Sequence, residues 1–200
     1  MKLSERFRGY LPVVIDLETG GFDKGVHPIL ELACQFLDME TTRLTTTALH
    51  SWDVSPFAGA EIDPASLKFT GIDPDRPAAD EGTVLKECFK LVRQQMKLAG
   101  CHRAIIVAHN ASFDQGFLNA ACLRAGIKRN PFHPFSALDT ASLAAVAYGH
   151  TVLSQACRRA GLEFDDKQAH SAAYDAERTG ALFCAVVNAW DYQPPDDELC

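Results

Sequence analysis

The chain of 200 residues has no long hydrophobic run. No apolar stretch approaches the roughly 18 residues of a membrane span, and the N-terminal segment MKLSERFRGY is too polar for a signal peptide. Closely spaced cysteines are absent too, because no two of the seven lie closer than 13 residues. This spacing excludes a CxxC zinc site and argues against a disulfide framework. We therefore expect a cytoplasmic protein whose thiols are free and buried.

An excess of positive charge is also missing. Lysine and arginine together number 19 against 26 acidic residues, which gives a net charge of −7. Bulk charge therefore does not attract nucleic acid, and any contact with phosphates needs local basic patches or bound cations. Repeats and low-complexity linkers are absent, and 47% hydrophobic residues suffice for a core. These features predict one domain over residues 1–190 and a disordered acidic tail over residues 191–200.

The hydrophobic pattern predicts strands first and then strands that alternate with helices. The predicted strands are residues 11–17, 29–37, 43–54 and 103–108. The predicted helices are residues 64–69, 84–99 and 112–125, a segment ASLAAVAYG capped by Asp139, and residues 171–190. The segment KRNPFHPF, residues 128–135, holds two prolines and is predicted to be irregular. This order predicts one mixed α/β sheet with helices on both faces.

The segment VVIDLETGGF places two carboxylates at the end of the first strand. Asp16 and Glu18 are two residues apart, so they share one face of the strand. They repel each other, and a bound divalent cation would relieve that cost. From this motif alone, a metal site and a structural explanation remain equally open.

Three further residues extend the pattern. Asp114 lies in the first turn of the helix after strand 103–108, and Asp175 opens the last helix, five residues after His170. Each acidic residue alone could simply compensate a helix dipole, and a lone histidine is usually structural. The joint order of D-x-E on a first strand, Asp after a later strand and H-x₄-D on a terminal helix favours a shared site.

That order resembles the DEDDh 3′→5′ exonucleases, whose name lists these residue types. The resemblance runs from about Arg6 to Trp190, and it includes RFRGYLPVVIDLETGGF, GCHRAIIVAHNASFD and KRNPFHPF, which are similar to an RNA-trimming branch of the family. It implies a ribonuclease H-like fold with a mixed five-stranded sheet flanked by helices. It also implies hydrolysis of single-stranded RNA 3′ ends, with single-stranded DNA as a further substrate.

The resemblance implies roles for the five residues. Asp16, Glu18, Asp114 and Asp175 would hold two Mg²⁺ ions, for which Mn²⁺ can substitute, and Asp16 would bridge them. His170 would be the general base, since the ordinary pKa of histidine, near 6.5, suits proton transfer at neutral pH.

The resemblance also implies nucleic-acid contacts. Four phenylalanines would stack on the terminal bases: Phe22, Phe69, Phe113 and Phe135. Taken one at a time, a phenylalanine is more often a core residue, and Phe22 and Phe113 are the stronger candidates because they lie beside predicted metal ligands. Five basic residues would form a patch that works in trans within an obligate homodimer, feeding RNA to the partner subunit: Arg6, Arg8, Lys97, Arg103 and Lys128. Lys86 and Lys90 are equally consistent with a solvated helix face.

Other residues leave alternatives open. Glu31 is assigned a structural role in preference to a place beside the site, and His109 and Asn110 are read mainly as turn residues. Ala65 stands where better-known members of the branch carry a glutamate tied to discrimination against 3′-terminal cytosine, so the base preference is open. A proofreading-type DNA exonuclease and a catalytically inactive nucleic-acid-binding module are the rival functions.

Overall fold

The computed structural model describes residues 1–192, and most of the predicted disordered tail lies outside them. The strands are β1 (Tyr10–Thr19), β2 (Ile29–Glu40), β3 (Arg43–Ser55), β4 (Ala79–Asp80), β5 (Arg103–Ala108) and β6 (Phe132–Asp139). The helices are α1 (Leu3–Arg6), α2 (Pro64–Thr70), α3 (Glu81–Leu98), α4 (Ala111–Arg124), α5 (Thr140–Tyr148), α6 (Leu153–Arg159) and α7 (Ala172–Ala189).

The strands form one mixed sheet in the order β4-β3-β2-β1-β5-β6. The first three strands are an antiparallel meander, whereas β5 and β6 run parallel to β1. β1 is therefore a central strand, and its residues Leu11, Val13, Val14 and Ile15 are fully buried. The predicted mixed α/β sheet flanked by helices is confirmed, with six strands rather than five.

The prediction for residues 128–135 is wrong in its second half, because β6 begins at Phe132. Two features allow a proline here. β6 is the last strand of the sheet order, and its pairing with β5 jumps from Phe132 to Ala137, so Pro134 lies in an irregular stretch. A proline at an edge or a bulge removes no ladder hydrogen bond.

Two short helices were not predicted from the sequence pattern. α1 has only four residues, and α6 has no side-chain cap at Val152 that could signal its start. α3 begins three residues earlier than predicted, because the Asp80 carboxylate caps it by accepting from the Thr83 N–H.

The main core packs α3, α4 and α7 against the central strands through large buried side chains, including Phe89, Phe117 and Phe183. Six cysteines of the described chain are free and buried, as expected. None of the helices within residues 1–192 is long and apolar enough to cross a membrane.

Candidate active site

The first two carboxylates lie on β1 where its pairing with β5 has ended. The parallel ladder between these strands runs only to Val14 opposite Val107. Asp16 and Glu18 follow on one face of β1, and they stay paired with β2 opposite Ala33 and Glu31. The continuing β1–β2 ladder therefore holds both carboxylates at the point where β5 leaves the sheet.

Asp114 reaches the same region from α4, which starts directly after β5. The turn between them uses a left-handed residue, Asn110, with φ of 69°. The Asp139 carboxylate accepts from the N–H groups of Asn110 and Ala111, at 2.9 and 3.3 Å, and so fixes the start of α4. Asp114, one turn in, is only 4% exposed.

The other two predicted site residues, His170 and Asp175, lie just before α7 and in its first turn. The ligand atoms of Glu18, His170 and Asp175 all lie within 4.8 Å of one another. His170 has a left-handed backbone with φ of 68°, and its N–H donates to Asp175 Oδ2 at 3.2 Å. The other oxygen, Asp175 Oδ1, is buried and has no hydrogen-bond partner within the described residues.

The carboxylates of this cluster carry like charges and repel one another. Burial raises the pKa of Glu18 to about 8, and the charges of Asp175 and Glu31 add to that effect. Burial also raises the pKa of Asp16 well above its usual range, helped by repulsion from Asp114. The pKa of Asp114 is raised chiefly by burial, although hydrogen bonds from its own backbone and from Leu17 oppose the rise. Burial raises the pKa of Asp175 as well.

A divalent cation fits this arrangement. The site combines hard carboxylate oxygens with an imidazole, and it leaves one buried carboxylate oxygen unpaired. Such oxygens are what Mg²⁺ and Mn²⁺ prefer, and a cation would offset the repulsion that raises the carboxyl pKa values. This donor set is therefore consistent with divalent-metal chemistry.

Glu31 lies closer to the site than its assigned structural role suggests. It is directly opposite Glu18 in the β1–β2 register, and its carboxylate is shared between the Ala172 N–H and Arg76. Sequence reasoning missed Arg76 entirely. It lies 45 residues from Glu31, and no local pattern links the two residues.

Two of the predicted base-binding phenylalanines lie together at one side of the cluster. The rings of Phe22 and Phe113 meet edge to face at 6.4 Å, and Phe113 in turn packs on Phe117 at 4.7 Å. Phe22 is 84% exposed, so its ring is open to a ligand. The turn behind it needs Gly21, whose φ is 155° and where a Cβ would lie 2.5 Å from the His27 ring.

The other two predicted base-binding phenylalanines, Phe69 and Phe135, lie apart from this pair and from each other. Phe69 on α2 is 65% exposed and packs against the His170 ring, with centroids 3.9 Å apart. Phe135 is 81% exposed, and within residues 1–192 its ring contact is with His133. His133 also contacts Tyr10, at the opposite end of β1 from Asp16.

Three of the predicted basic residues lie near the N-terminal end of β1. Arg8 donates to the Tyr10 hydroxyl at 2.8 Å, Tyr10 is paired with Arg103 across the β1–β5 ladder, and Arg6 is on α1. Lys97 is in the last turn of α3. Lys128 follows α4 and lines a 450 Å³ surface cavity.

The basic end is distant from the carboxylates of the same chain. Six residues of extended strand separate Tyr10 from Asp16, which corresponds to roughly 20 Å. A nucleotide at the carboxylates therefore cannot also contact Arg8 of the same chain.

Comparisons with known proteins identify the family. A model described as "Exonuclease" matches residues 13–183. Ribonuclease T of Shewanella frigidimarina is 53% identical over 194 residues, which cover 94% of this chain and 87% of that protein. Ribonuclease T of Escherichia coli (strain K12) is 53% identical over 193 residues, covering 94% of this chain and 89% of that protein.

Solved structures share the fold at lower identity. The nuclease domain of 3′hExo, described as a DEDDh family member bound to rAMP, gives a TM-score of 0.70 at 19% identity and covers 89% of this chain and 92% of that one. E. coli exonuclease I in complex with a dT13 oligonucleotide gives 0.67 at 17% identity, covering 88% of this chain and 41% of that one. The exonuclease model spans most of the chain and ribonuclease T sequences match it nearly throughout, so the chain belongs to the ribonuclease T family of DEDDh exonucleases, which hydrolyse phosphodiester bonds.

Proposed function

We propose that the protein is a 3′→5′ exoribonuclease that trims single-stranded 3′ ends of structured RNAs, as in tRNA end turnover and stable RNA maturation, and that also cuts single-stranded DNA. The observation that carries this proposal is the meeting of Glu18, His170 and Asp175 within 4.8 Å. Asp16 and Asp114 add their charge to the same region. The identity of 53% to ribonucleases T supports RNA as the substrate.

The proposed cofactor is Mg²⁺, two ions per site, with Mn²⁺ as a substitute. Asp16, Glu18, Asp114 and Asp175 would hold the ions. When bound, they would polarise the scissile phosphate and make a water nucleophilic near neutral pH. The unpaired Asp175 Oδ1 supports its assignment as a ligand.

His170 would take the proton from the attacking water. Its ring packs against Phe69, and its backbone is tied to Asp175, so the imidazole is held beside the carboxylates. An imidazole can accept a proton at neutral pH and release it to solvent after each turnover.

The exposed rings would hold the 3′ end in line with these groups. A terminal base could stack on the adjacent rings of Phe22 and Phe113. Phe69, which packs on His170, would contact the same base from the His170 side. Stacking contributes about 1–3 kcal/mol per base without reading the sequence. Phe135, near the basic end, would contact a nucleotide from further along the strand or from a partner subunit.

The basic patch would work in trans in a cytoplasmic homodimer. The roughly 20 Å between Tyr10 and Asp16 along β1 supports this assignment. A terminal nucleotide bound at the carboxylates of one chain is too far from the basic residues near Tyr10 of that chain. The free, buried cysteines of the described chain suit a reducing compartment.

Digestion of a 3′-end-labelled tRNA and of a stable stem with a short 3′ overhang tests the proposed function. We expect labelled mononucleotide as the first product, a stop close to the duplex, and no reaction in EDTA. Internal cuts or loss of nucleotides from the 5′ end would contradict the proposal. Absence of any product would favour the inactive binding module.

Two further substrates complete this experiment. A rate on single-stranded DNA far above that on RNA would favour the proofreading-type alternative. RNAs that end in cytosine or adenine address the base preference, because Ala65 occupies the first turn of α2, which carries Phe69.

A further inference from the structure

A network of three charged residues lies beside the candidate active site. Arg76, in the loop after α2, contacts Glu31 Oε1 at 3.2 Å and Asp53 Oδ1 at 2.7 Å, and it donates to the Leu30 carbonyl at 3.1 Å. We call Glu31, Arg76 and Asp53 the arginine clamp. Glu31 and Arg76 are 20% and 22% exposed, so their contact is partly shielded from water.

The second oxygen of Glu31 caps α7. The N-cap residue of this helix, Ser171, makes no side-chain cap hydrogen bond. Instead, Glu31 Oε2 accepts from the N–H of Ala172, the first residue of α7, at 3.0 Å. The first N–H groups of a helix lack intrahelical partners, and a carboxylate there both pairs with them and interacts favourably with the helix dipole.

The clamp also fixes the orientation of the Glu31 carboxylate. With Oε1 held by Arg76, Oε2 faces the Ala172 N–H. Without the guanidinium, Glu31 would be an uncompensated negative charge opposite Glu18, with which it is paired in the sheet. Repulsion would then favour rotation of its side chain away from α7.

The position of the cap matters for the candidate site. Ala172 lies two residues after His170 and three before Asp175, so the bond to Glu31 locates both residues relative to β2. α7 can approach β2 closely because residue 180 is glycine, where a Cβ would lie 2.5 Å from Gln35 Oε1. The helix is thus set against the strand that pairs with the carboxylate-bearing β1.

We propose that Glu31, held by Arg76, is a positioning residue that fixes the N-terminus of α7 and thereby aligns His170 and Asp175 with Glu18. It is neither a metal ligand nor a substrate contact. The inference rests on the roles of His170 and Asp175 under the proposed function. It goes beyond them by assigning their alignment to a strand residue and to a loop arginine.

Two substitutions test the clamp: Glu31→Gln and Arg76→Ala. Displacement of a catalytic group by about 1 Å costs on the order of 100-fold in rate, so we expect Glu31→Gln to lower kcat about 10- to 100-fold. Arg76→Ala leaves the carboxylate in place but free to rotate, and it should lower kcat about 3- to 10-fold. Arg76→Lys should recover part of that loss. KM for a short RNA should change less than about twofold.

Asn188→Ala is the matched control. Asn188 ties the other end of α7 to β3 through two hydrogen bonds with the Leu44 backbone. It lies 16 residues along the helix from Ala172, or about 24 Å. The control should therefore loosen the helix at its far end without affecting kcat.

Amide hydrogen exchange supplies a readout that does not depend on activity. Glu31→Gln and Arg76→Ala should each lower protection in the first turn of α7, whereas Asn188→Ala should lower it only in the last turn. Unchanged first-turn protection in both clamp variants would overturn the proposal.

The kinetic outcomes are equally decisive. A wild-type kcat in both clamp variants, or an equal fall of kcat in Asn188→Ala, would overturn the proposal. Recovery of kcat by excess Mg²⁺ in Glu31→Gln but not in Arg76→Ala, which keeps the Glu31 carboxylate, would make Glu31 a metal ligand and would also overturn it. Failure of the proposed function would look different, since it would show as an inactive wild-type protein or as an active His170→Ala variant.

Discussion

At the scale of single residues, the buried carboxylates of the site destabilise the folded protein when they are ionised and no cation is bound. Burial, together with the negative charges of Asp175 and Glu31, raises the pKa of Glu18 from 4.5 to about 8. In metal-free protein the folded state therefore holds this proton more tightly than the unfolded chain does. The stability gained in this way is fully present below about pH 4.5 and is lost as the pH rises towards 8.

Replacement of Glu18 by glutamine should reveal how much the ionised Glu18 carboxylate destabilises the metal-free protein. In EDTA at pH 8, Glu18→Gln should raise the Tm by at least about 2 °C, whereas at about pH 4, below the unfolded pKa of Glu18, the two proteins should melt alike. Mg²⁺ should raise the Tm of the wild type more than that of the variant, which keeps three of the four proposed ligand carboxylates.

Glu40→Gln serves as the control, because Glu40 is an exposed glutamate at the end of β2. It should leave the pH dependence of the Tm in EDTA unchanged. A wild-type Tm in EDTA that stays constant from pH 5 to 8 would contradict the electrostatic explanation.

At the scale of elements, one side chain joins two helices to the site. Asp139 accepts from the N–H groups of Asn110 and Ala111 at the start of α4, and from those of Ala141 and Ser142 in α5. Partial burial raises the pKa of Asp139, but hydrogen bonds from the Ser142 hydroxyl and from the backbone N–H groups of Asn110, Ala111 and Ala141 outweigh it, so the pKa lies below its usual value. The residue predicted to cap α5 therefore also sets the start of α4, one turn before Asp114.

Asp139→Ala should therefore lower both stability and activity. Loss of a helix cap costs about 1–2 kcal/mol, and the freed N–H groups before α4 should add to that in urea unfolding. Since Asp114 would shift, kcat should also fall at least about 10-fold.

Asp80→Ala is a matched control, because Asp80 caps α3 alone through Thr83. It should cost about 1 kcal/mol of unfolding free energy and leave kcat unchanged. Equal losses of kcat in the two variants would assign the effect of Asp139 to general destabilisation.

How far the sequence predicts the structure depends on the range of each interaction. The apolar run of β1, the cap at Asp139 and the spacing from His170 to Asp175 are local patterns, and they predicted the corresponding elements. The contact between Arg76 and Glu31 joins residues 45 apart, so no local pattern could reveal it. β6 was missed because Pro134 indicates a loop unless the strand is known to lie at the sheet edge.

At the scale of the whole molecule, β1 separates two groups of residues with different proposed functions. Its C-terminal part carries the candidate metal ligands, and its N-terminal end is close to Arg8 and Arg103. A basic surface at one end can attract RNA although the chain as a whole carries a charge of −7. The homodimer and the single domain over residues 1–190 stay predictions.

The paired substitution Arg6→Ala with Arg8→Ala tests the separation. It should raise KM for a long structured RNA about 10-fold, because two phosphate contacts are lost, while cleavage of a very short substrate stays almost normal. Sedimentation should show a dimer for the wild type and the variant alike. Equal losses on both substrates would count against a separate basic patch, and a wild-type monomer would contradict action in trans.

The most direct test of the central claim is single-turnover release of the 3′-terminal nucleotide by wild type and His170→Ala in saturating Mg²⁺. The central claim is that the hydrolytic site consists of Asp16, Glu18, Asp114, His170 and Asp175, with His170 as the general base. If so, the variant should bind RNA with near-normal affinity and release the nucleotide at least about 100-fold more slowly. A wild-type release rate in His170→Ala would contradict the account.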